Sequence, residues 1–270
     1  MPRFLQFVKF DQSVKGHEVI VLKPSLKNLR AHNTPLAFTE EVLKFCLAHK
    51  DPATSVIIAE GSDGDETADV FDQAGYRKLA ERYSISLVDL NTSEVEELQN
   101  DDFMRFDSIF YPKILLNSFV ITLPRLGPDD EIEVQDSLTT MLVAFPAEYY
   151  RGLFSRMKNK IRRFPLKYAV HDILRCKMPN VSLIDASDYG MVLAGKPLDL
   201  DKEAARIMGK DWRALQHLRL IDRPDGPEQR SNRRRMDEGH TAMAAPSGRR
   251  ALFLSVVSAE EGPGRRGGDH

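Results

Sequence analysis

Two short segments, EVIVLKP at residues 18–24 and SVIIAEGSDG at residues 55–64, decide the fold class. Each begins as an apolar, β-branched run and ends where a strand must stop, because proline cannot donate to a sheet ladder and glycine permits a sharp turn. Between them, TEEVLKFCL at residues 39–47 places apolar residues at helical spacing. This strand–helix–strand order predicts a parallel βαβ unit.

The alternation of strands and helices continues to about residue 222. The other predicted elements are strands at residues 85–90, 117–123 and 181–185 and helices at residues 67–83, 147–176 and 202–208. Pro165 is expected to break the second of these helices. Because strands that alternate with helices pair in parallel through crossovers, we predict an α/β fold with a mostly parallel sheet and helices on both faces.

A change of composition near residue 222 sets the domain organisation. Residues 223–270 contain 7 Gly, 4 Pro and 9 Arg but no Lys, and only ALFLSVV at residues 251–257 could form a short strand or helical turn. Such a segment buries too little apolar surface to offset its ordering entropy. We predict one domain over residues 1–222 and a disordered, Arg/Gly-rich C-terminal tail, with an arginine arm that grips phosphates as the alternative.

Composition excludes several classes of protein. With 38 basic and 40 acidic residues the net charge is −2, so nucleic acid is not an expected partner. Two cysteines, Cys46 and Cys176, cannot build a disulfide framework, a Cys-rich zinc site or a four-cysteine iron–sulfur cluster. No apolar run approaches the ~20 residues that span a bilayer and no signal-peptide core follows Met1, so we expect a cytoplasmic protein without a transmembrane segment. No P-loop or HExxH motif occurs.

Charged and polar residues follow the predicted strands, at the edge where parallel sheets place their ligands. Lys23 ends the first strand, Glu60 ends the second, and Arg125 and Asp185 follow later ones. We predict Lys23 and Glu60 as catalytic residues, with Arg125, Ser62 and Asp185 binding a small anionic substrate and Glu60 acting as a general base. The alternative for each residue is a structural role, such as a lysine that covers a strand edge.

The turn after Glu60 also concentrates hard oxygen donors. Glu60 and Asp63 could bind Mg²⁺ or another divalent cation, and Asp65 and Glu66 follow closely. The spacing does not match an EF-hand loop. A solvated acidic loop, in which Ser62 or Asp63 caps the next helix, is therefore the alternative.

Residues 151–167 form the most basic stretch of the chain, with seven positive charges and no acidic residue. If this stretch were helical, Phe154, Met157, Ile161 and Phe164 would form one apolar stripe. We predict an amphipathic basic helix that can bind phosphates, an anionic membrane surface or an acidic partner, with a basic face on a core-packed helix as the alternative. The residues singled out for partner binding are Arg156, Lys158, Arg162 and Arg163.

Several segments, in their order along the chain, resemble the domain-of-unknown-function 362 family. They are VIVLKPSL (19–26), TEEVLKFCL (39–47), SVIIAEGSDG (55–64), AGYRKLAERY (74–83), FVITLPRLGPDD (119–130), FPLKYAVHDIL (164–174), VSLIDA (181–186) and LDLDKEAARIMG (198–209). The resemblance covers residues 18–222. It implies an α/β fold with a site at Lys23, Glu60 and Arg125, but the family lacks a generally established reaction, so it implies no substrate.

This chain departs from the family pattern at three places. Ser25 replaces an Asn after Lys-Pro, residues 127–130 replace a Lys-Thr-His element, and a Lys-Asn pair is missing around residues 142–145. Some relatives carry a fused ferredoxin-like module, which two cysteines cannot supply, so no iron–sulfur cluster is expected here. We predict an enzyme-like binder of a small anion. The alternatives are an accessory module that binds a phosphate-rich or acidic partner through residues 151–167, or a degenerate member that keeps only the fold.

Overall fold

The computed structural model describes residues 10–222 and 252–255. Its strands, in chain order, are β1 (Val19–Pro24), β2 (Ser55–Glu60), β3 (Ser86–Asp89), β4 (Val95–Leu98), β5 (Ile109–Pro112), β6 (Phe119–Leu123), β7 (Gly127–Asp129), β8 (Glu133–Gln135), β9 (Val181–Ala186), β10 (Met191–Gly195) and β11 (Leu252–Ser255). The main sheet has the strand order β11-β10-β9-β6-β1-β2-β3, and β4–β5 and β7–β8 form two small antiparallel pairs.

Strands β1, β2, β3, β6 and β9 are parallel, so the predicted α/β fold with a mostly parallel sheet is confirmed. The exception lies at one edge, where β10 and β11 pair antiparallel. The turn into β10 contains Gly190 at φ +71°, a conformation that glycine adopts without strain. This tight turn makes β9 and β10 a hairpin, which cannot be parallel.

Helices cover both faces of the sheet. They are α1 (Phe10–Ser13), α2 (Leu36–His49), α3 (Thr67–Gln73), α4 (Tyr76–Tyr83), α5 (Lys113–Leu116), α6 (Ala147–Tyr150), α7 (Leu166–Cys176), α8 (Pro197–Ile207) and α9 (Gln216–Ile221). In β1, Ile20 and Leu22 pack with α1–α4, whereas Val21 packs with α7–α9 on the opposite face. Burial on both faces explains why the strands are continuously apolar rather than alternating.

The predicted helix over residues 67–83 is divided into α3 and α4 at Gly75. Gly75 has φ +80°, and a Cβ there would lie 2.9 Å from the side chain of Leu36. The left-handed conformation favours glycine, and a larger residue would also displace the end of the Leu36 side chain. The two helices therefore meet at a bend that the apolar periodicity alone did not indicate.

The predicted helix over residues 147–176 is wrong over residues 151–158. Beyond the single turn of α6 the chain is irregular, with a 3₁₀ turn at Asn159–Arg162 before α7 begins. Phe154 has φ +63°, which a regular right-handed helix does not allow. Tertiary contacts of Lys158, described below, replace the helical hydrogen bonds.

The last described residues, Leu252–Ser255, lie within the only part of the tail in which the sequence indicated a short element. They form β11, which pairs antiparallel with residues 191–194. The predicted disorder of the rest of residues 223–270 concerns residues outside those that the structure describes. Among the described helices, none has the length and apolar character needed to cross a membrane.

Candidate functional site

The strand order reverses at β1, which lies between β2 and β6. In open α/β sheets ligands bind at the carboxyl ends of the strands near such a reversal. Here the chain that follows β1 crosses this position: the Ser25 N–H donates to Thr34 Oγ1 (2.9 Å), and the Thr34 hydroxyl donates to the carbonyl of Leu123 at the end of β6 (2.5 Å). The ends of β1 and β6 are thus joined by protein hydrogen bonds.

Lys23 and Glu60, predicted as catalytic, form a fully buried ion pair. Lys23 Nζ lies 3.3 Å from Glu60 Oε1 and donates to the carbonyl of Thr140 at 2.7 Å. Glu60 also accepts hydrogen bonds from the backbone N–H groups of Gly61 (2.8 Å) and Leu26 (2.9 Å). Burial lowers the pKa of Lys23, although Glu60 opposes this shift. Both charged groups are therefore bonded to protein, and neither side chain is exposed.

Lys158 belongs to the same buried cluster. Its backbone N–H donates to Asp63 Oδ1 (2.7 Å), and its Nζ donates to the carbonyls of Gly61 (2.6 Å) and Val143 (2.8 Å). A Cβ at Gly61 would lie 2.7 Å from the Val143 oxygen, so this close packing requires glycine. Burial lowers the Lys158 pKa to about 7. A neutral amine keeps two N–H donors, which matches the two carbonyl acceptors. Fully buried, Lys158 does not present its charge to a partner.

Arg162, also predicted to bind a partner, is held by carboxylates. Its guanidinium binds Glu131 through two hydrogen bonds (2.6 and 2.9 Å) and lies 2.8 Å from Asp63 Oδ2. Lys27 bridges Glu131 to Asp129. The bonds from Arg162 and Lys27 lower the pKa of Glu131 to about 2. We define Lys23, Glu60, Asp63, Lys158 and Arg162 as the charge cluster.

The carboxylate oxygens proposed to bind a cation already interact with donor groups of the protein. Both carboxylate oxygens of Glu60 and both of Asp63 accept hydrogen bonds or ion pairs. Across the described residues no three His, Cys, Asp or Glu side chains are grouped to hold a metal ion. Beside Asp63 and Arg162 lies a cavity of about 40 Å³, which is room for a few water molecules. The metal site at Glu60 and Asp63 stays a prediction.

The remaining predicted substrate-binding residues lie in two places. The Ser62 hydroxyl donates to the carbonyl of Leu26 (2.9 Å), next to the charge cluster. Arg125 pairs with Asp188 (3.0 Å) and forms a β-bridge to Asp185, whose Oδ1 accepts the N–H of Ser187. Arg125 and Asp185 thus meet each other at the ends of β6 and β9, and neither contacts Lys23 or Glu60 through a hydrogen bond.

The two cysteines do not fit an iron–sulfur group. Cys46 is buried in α2, whereas Cys176 ends α7 and is half-buried. Burial raises the pKa of both thiols to about 12, so neither is a thiolate at neutral pH. An iron–sulfur cluster needs several thiolate ligands close together.

A groove of about 540 Å³ beside the ends of β2 and β3 was not predicted from the sequence. Its walls are formed by Glu66, Asp89, Asn91, Thr92, Ala147, Glu148, Arg151, Gly152, Leu153 and Lys160. Asn91 builds the floor, because its side-chain amide donates to the carbonyl of Ser62 (2.9 Å) and accepts the N–H of Ala147 (3.0 Å). The feature of the sequence that could have indicated this groove was Asp89, a charged residue at the end of β3.

Arg151 is the cation of the groove whose bonding is least complete. Its Nη2 lies 3.7 Å from Glu66, a long ion pair. Its Nε is buried and has no hydrogen-bond partner among the described residues. Lys160, the second cation of the wall, donates to the carbonyl of Tyr149 (2.7 Å) and is otherwise exposed. The groove therefore combines two cationic side chains with hydrogen-bonding capacity that protein groups leave unused.

A parallel sheet with helices on both faces and its charged residues collected at the carboxyl edge defines an open α/β protein. Residues 20–215 match the model of the family described as Domain of unknown function (DUF362), and the chain belongs to this family. The resemblance found in the sequence is thereby confirmed. Among curated proteins, none matches the chain.

Proposed function

We propose that this protein binds a small organic or inorganic anion in the groove beside β2 and β3. The observation that carries the proposal is Arg151, whose buried Nε donor lacks a partner within the described chain on the wall of a cavity of suitable size. Pockets for small ligands typically have volumes of ~300–1,000 Å³ with a few well-placed polar groups. A planar guanidinium binds carboxylate and phosphate groups through paired hydrogen bonds.

The opposite charges of the groove restrict the ligand further. Glu66, Asp89 and Glu148 line it together with Arg151 and Lys160. A ligand bound by the two cations would bring its hydroxyl or amino groups toward these carboxylates, whereas a second anionic group on the ligand would be repelled by them. We therefore infer a ligand with one carboxylate or phosphate group and with hydrogen-bond donors elsewhere.

In this proposal Lys23 and Glu60 support the site instead of reacting in it. Glu60 fixes the turn at Gly61, and Lys23 ties β1 to the segment around Thr140. The wall of the groove and the charge cluster are joined through Asn91, which bonds the carbonyl of Ser62. Loss of the pair would thus disturb the groove by displacing its backbone, without removing a group that contacts the ligand.

Thermal unfolding of the full chain with increasing phosphate, glycerol phosphate or glycerate tests the proposal. A ligand that binds only the folded state raises the unfolding midpoint with concentration. We expect at least one probe to raise the midpoint of the wild type, and Arg151→Ala and Lys160→Ala to abolish that rise. Lys44→Ala, which removes an exposed lysine from α2, is the matched control and should respond as the wild type does.

Two results would overturn the assignment. A rise that persists in Arg151→Ala would locate the anion elsewhere. If none of the probes changes the wild-type midpoint or gives heat on titration, the protein does not bind this class of ligand at the groove, and the interpretation as a degenerate member that keeps only the fold would be favoured.

A further inference from the structure

Large apolar side chains are exposed in one place to an unusual degree. Leu153 is 87% exposed and Phe154 is 100% exposed, and Met157 and Phe164 nearby in the chain are also exposed. Single exposed apolar residues are normal on protein surfaces, whereas a group of them commonly marks a surface that contacts a partner or a membrane. We call residues 152–157 the apolar loop.

The apolar loop is held in place by hydrogen bonds, although its tip packs against nothing in the described chain. The Ser155 N–H donates to the carbonyl of Gly152 (3.2 Å), and the Ser155 hydroxyl accepts from the Met157 N–H and the Asn159 side chain. At its C-terminal end, buried Lys158 anchors the loop to the charge cluster. Exposure of Leu153 and Phe154 is therefore built into an ordered turn.

Positively charged residues follow this tip in the chain, whereas the groove on the side of Leu153 also contains Glu66, Asp89 and Glu148. Arg156, Lys160 and Arg163 are exposed, and residues 151–167 contain no acidic residue. An apolar tip flanked by lysine and arginine combines the two attractions that bind proteins to anionic bilayers: burial of apolar surface and attraction to lipid headgroups. A protruding tip needs no complementary pocket in a bilayer, whereas a protein partner would have to supply one. These features favour a lipid surface over an acidic protein.

We propose that the apolar loop docks this protein on an anionic membrane surface, with Leu153 and Phe154 inserted below the headgroups and Arg156, Lys160 and Arg163 facing the lipid phosphates. Leu153 and Lys160 also line the groove, whereas Phe154 does not, so Phe154 is the position that separates docking from ligand binding.

Sedimentation of the full chain with vesicles tests this docking. We use vesicles of phosphatidylcholine alone and of phosphatidylcholine with about 30% phosphatidylserine, a content that gives a surface potential strong enough to attract basic residues. The wild type should bind the anionic vesicles, and the binding should weaken when salt rises from low to high concentration. Leu153→Ser/Phe154→Ser should bind about 100-fold more weakly, because two large apolar side chains no longer enter the bilayer.

The control is Met178→Ser, which removes an exposed apolar side chain just before β9, at the opposite edge of the sheet. It should bind as the wild type does. Phe154→Ser alone should weaken vesicle binding and leave the ligand response of the groove intact. Each variant is first checked for an unchanged thermal midpoint, since exposed positions contribute little to folding.

Fluorescence supplies a second measurement of insertion. The chain has one tryptophan, Trp212. In a Trp212→Phe/Phe154→Trp variant the emission should shift to shorter wavelength on anionic vesicles and be quenched by brominated acyl chains. Three results would overturn the proposal: no vesicle binding by the wild type, equal binding by the double serine variant, or capture by immobilised polyglutamate without binding to vesicles, which would favour an acidic protein instead.

Discussion

The charge cluster and the apolar loop lie next to each other, and each has the environment normally expected of the other: the charged residues are buried and the apolar residues are exposed. Lys23, Glu60 and Lys158 are fully buried, whereas Leu153 and Phe154 are almost completely exposed. The comparison shows that a charged residue at a strand end is not thereby accessible to a ligand. Accessibility depends on whether the protein itself supplies the partners that water would otherwise provide.

One residue connects the charge cluster to the apolar loop. Lys158 closes the charge cluster with its side chain and also ends the apolar loop. Burial of this amine is possible because two backbone carbonyls accept its hydrogen bonds. Because Lys158 is anchored in the charge cluster, the residues of the apolar loop before it lie on the surface. Their apolar side chains do not reach the core.

The largest effect is expected when the buried ion pair is broken. Glu60→Ala leaves Lys23 buried without its counter-charge and removes the acceptor for the Gly61 and Leu26 N–H groups. We expect a loss of ~3–5 kcal/mol in the free energy of unfolding, measured by urea denaturation. Replacing both partners, in Lys23→Met/Glu60→Leu, should cost less than Glu60→Ala alone. A Glu60→Ala variant as stable as the wild type would show that the pair does not hold the strand ends.

Lys158 predicts a dependence of stability on pH. Its pKa is about 7 in the folded protein against 10.5 for an unperturbed lysine. Between these values the unfolded chain binds a proton that the folded chain has released, so stability rises with pH across that interval. The free energy of unfolding of the wild type minus that of Lys158→Met should therefore rise by about 2 kcal/mol from pH 7 to pH 9.

Other titrating groups also change the stability of the wild type with pH. The pKa of Lys23 is also lowered, and the raised pKa values of Cys46 and Cys176 act in the opposite sense above about pH 9, the ordinary pKa of a thiol. The cysteine contributions are common to both proteins and cancel, whereas Lys23, whose charge lowers the pKa of Lys158, is coupled to it, so the change with pH belongs to the two lysines together. A difference that stays constant with pH would mean that Lys158 remains charged when the protein folds.

The smallest effect concerns the apolar loop. Phe154 has φ +63°, a conformation that costs a non-glycine residue ~1 kcal/mol. Because the side chain is fully exposed, Phe154→Gly removes this cost and loses no packing, although glycine also gains freedom in the unfolded chain. We expect the free energy of unfolding to change by no more than ~1 kcal/mol, in the stabilising direction, when measured by urea denaturation. A large loss would mean that Phe154 packs in solution.

Much of the fold could be predicted because its signals are local. The apolar runs that end at Pro24 and Gly61 are buried strands, and their alternation with helices determines the parallel order. The antiparallel pairs β4–β5 and β7–β8 were missed, since two of the four residues of β4 are glutamates and β7 is three residues long. At the candidate site the sequence identified the charged strand ends but not the groove, because Arg151 and Lys160 reach it from distant positions in the chain.

The family, the α/β class and the placement of charged residues at the strand ends could be predicted from the amino-acid order. Those properties follow from residue order and hydrophobic periodicity, which a linear pattern contains. The burial of particular charges, the open groove and the absence of a helix over residues 151–158 depend instead on tertiary contacts. The reason is that Lys158 bonds carbonyls 97 and 15 residues away, and hydrogen bonds over such separations exist only after the chain has folded.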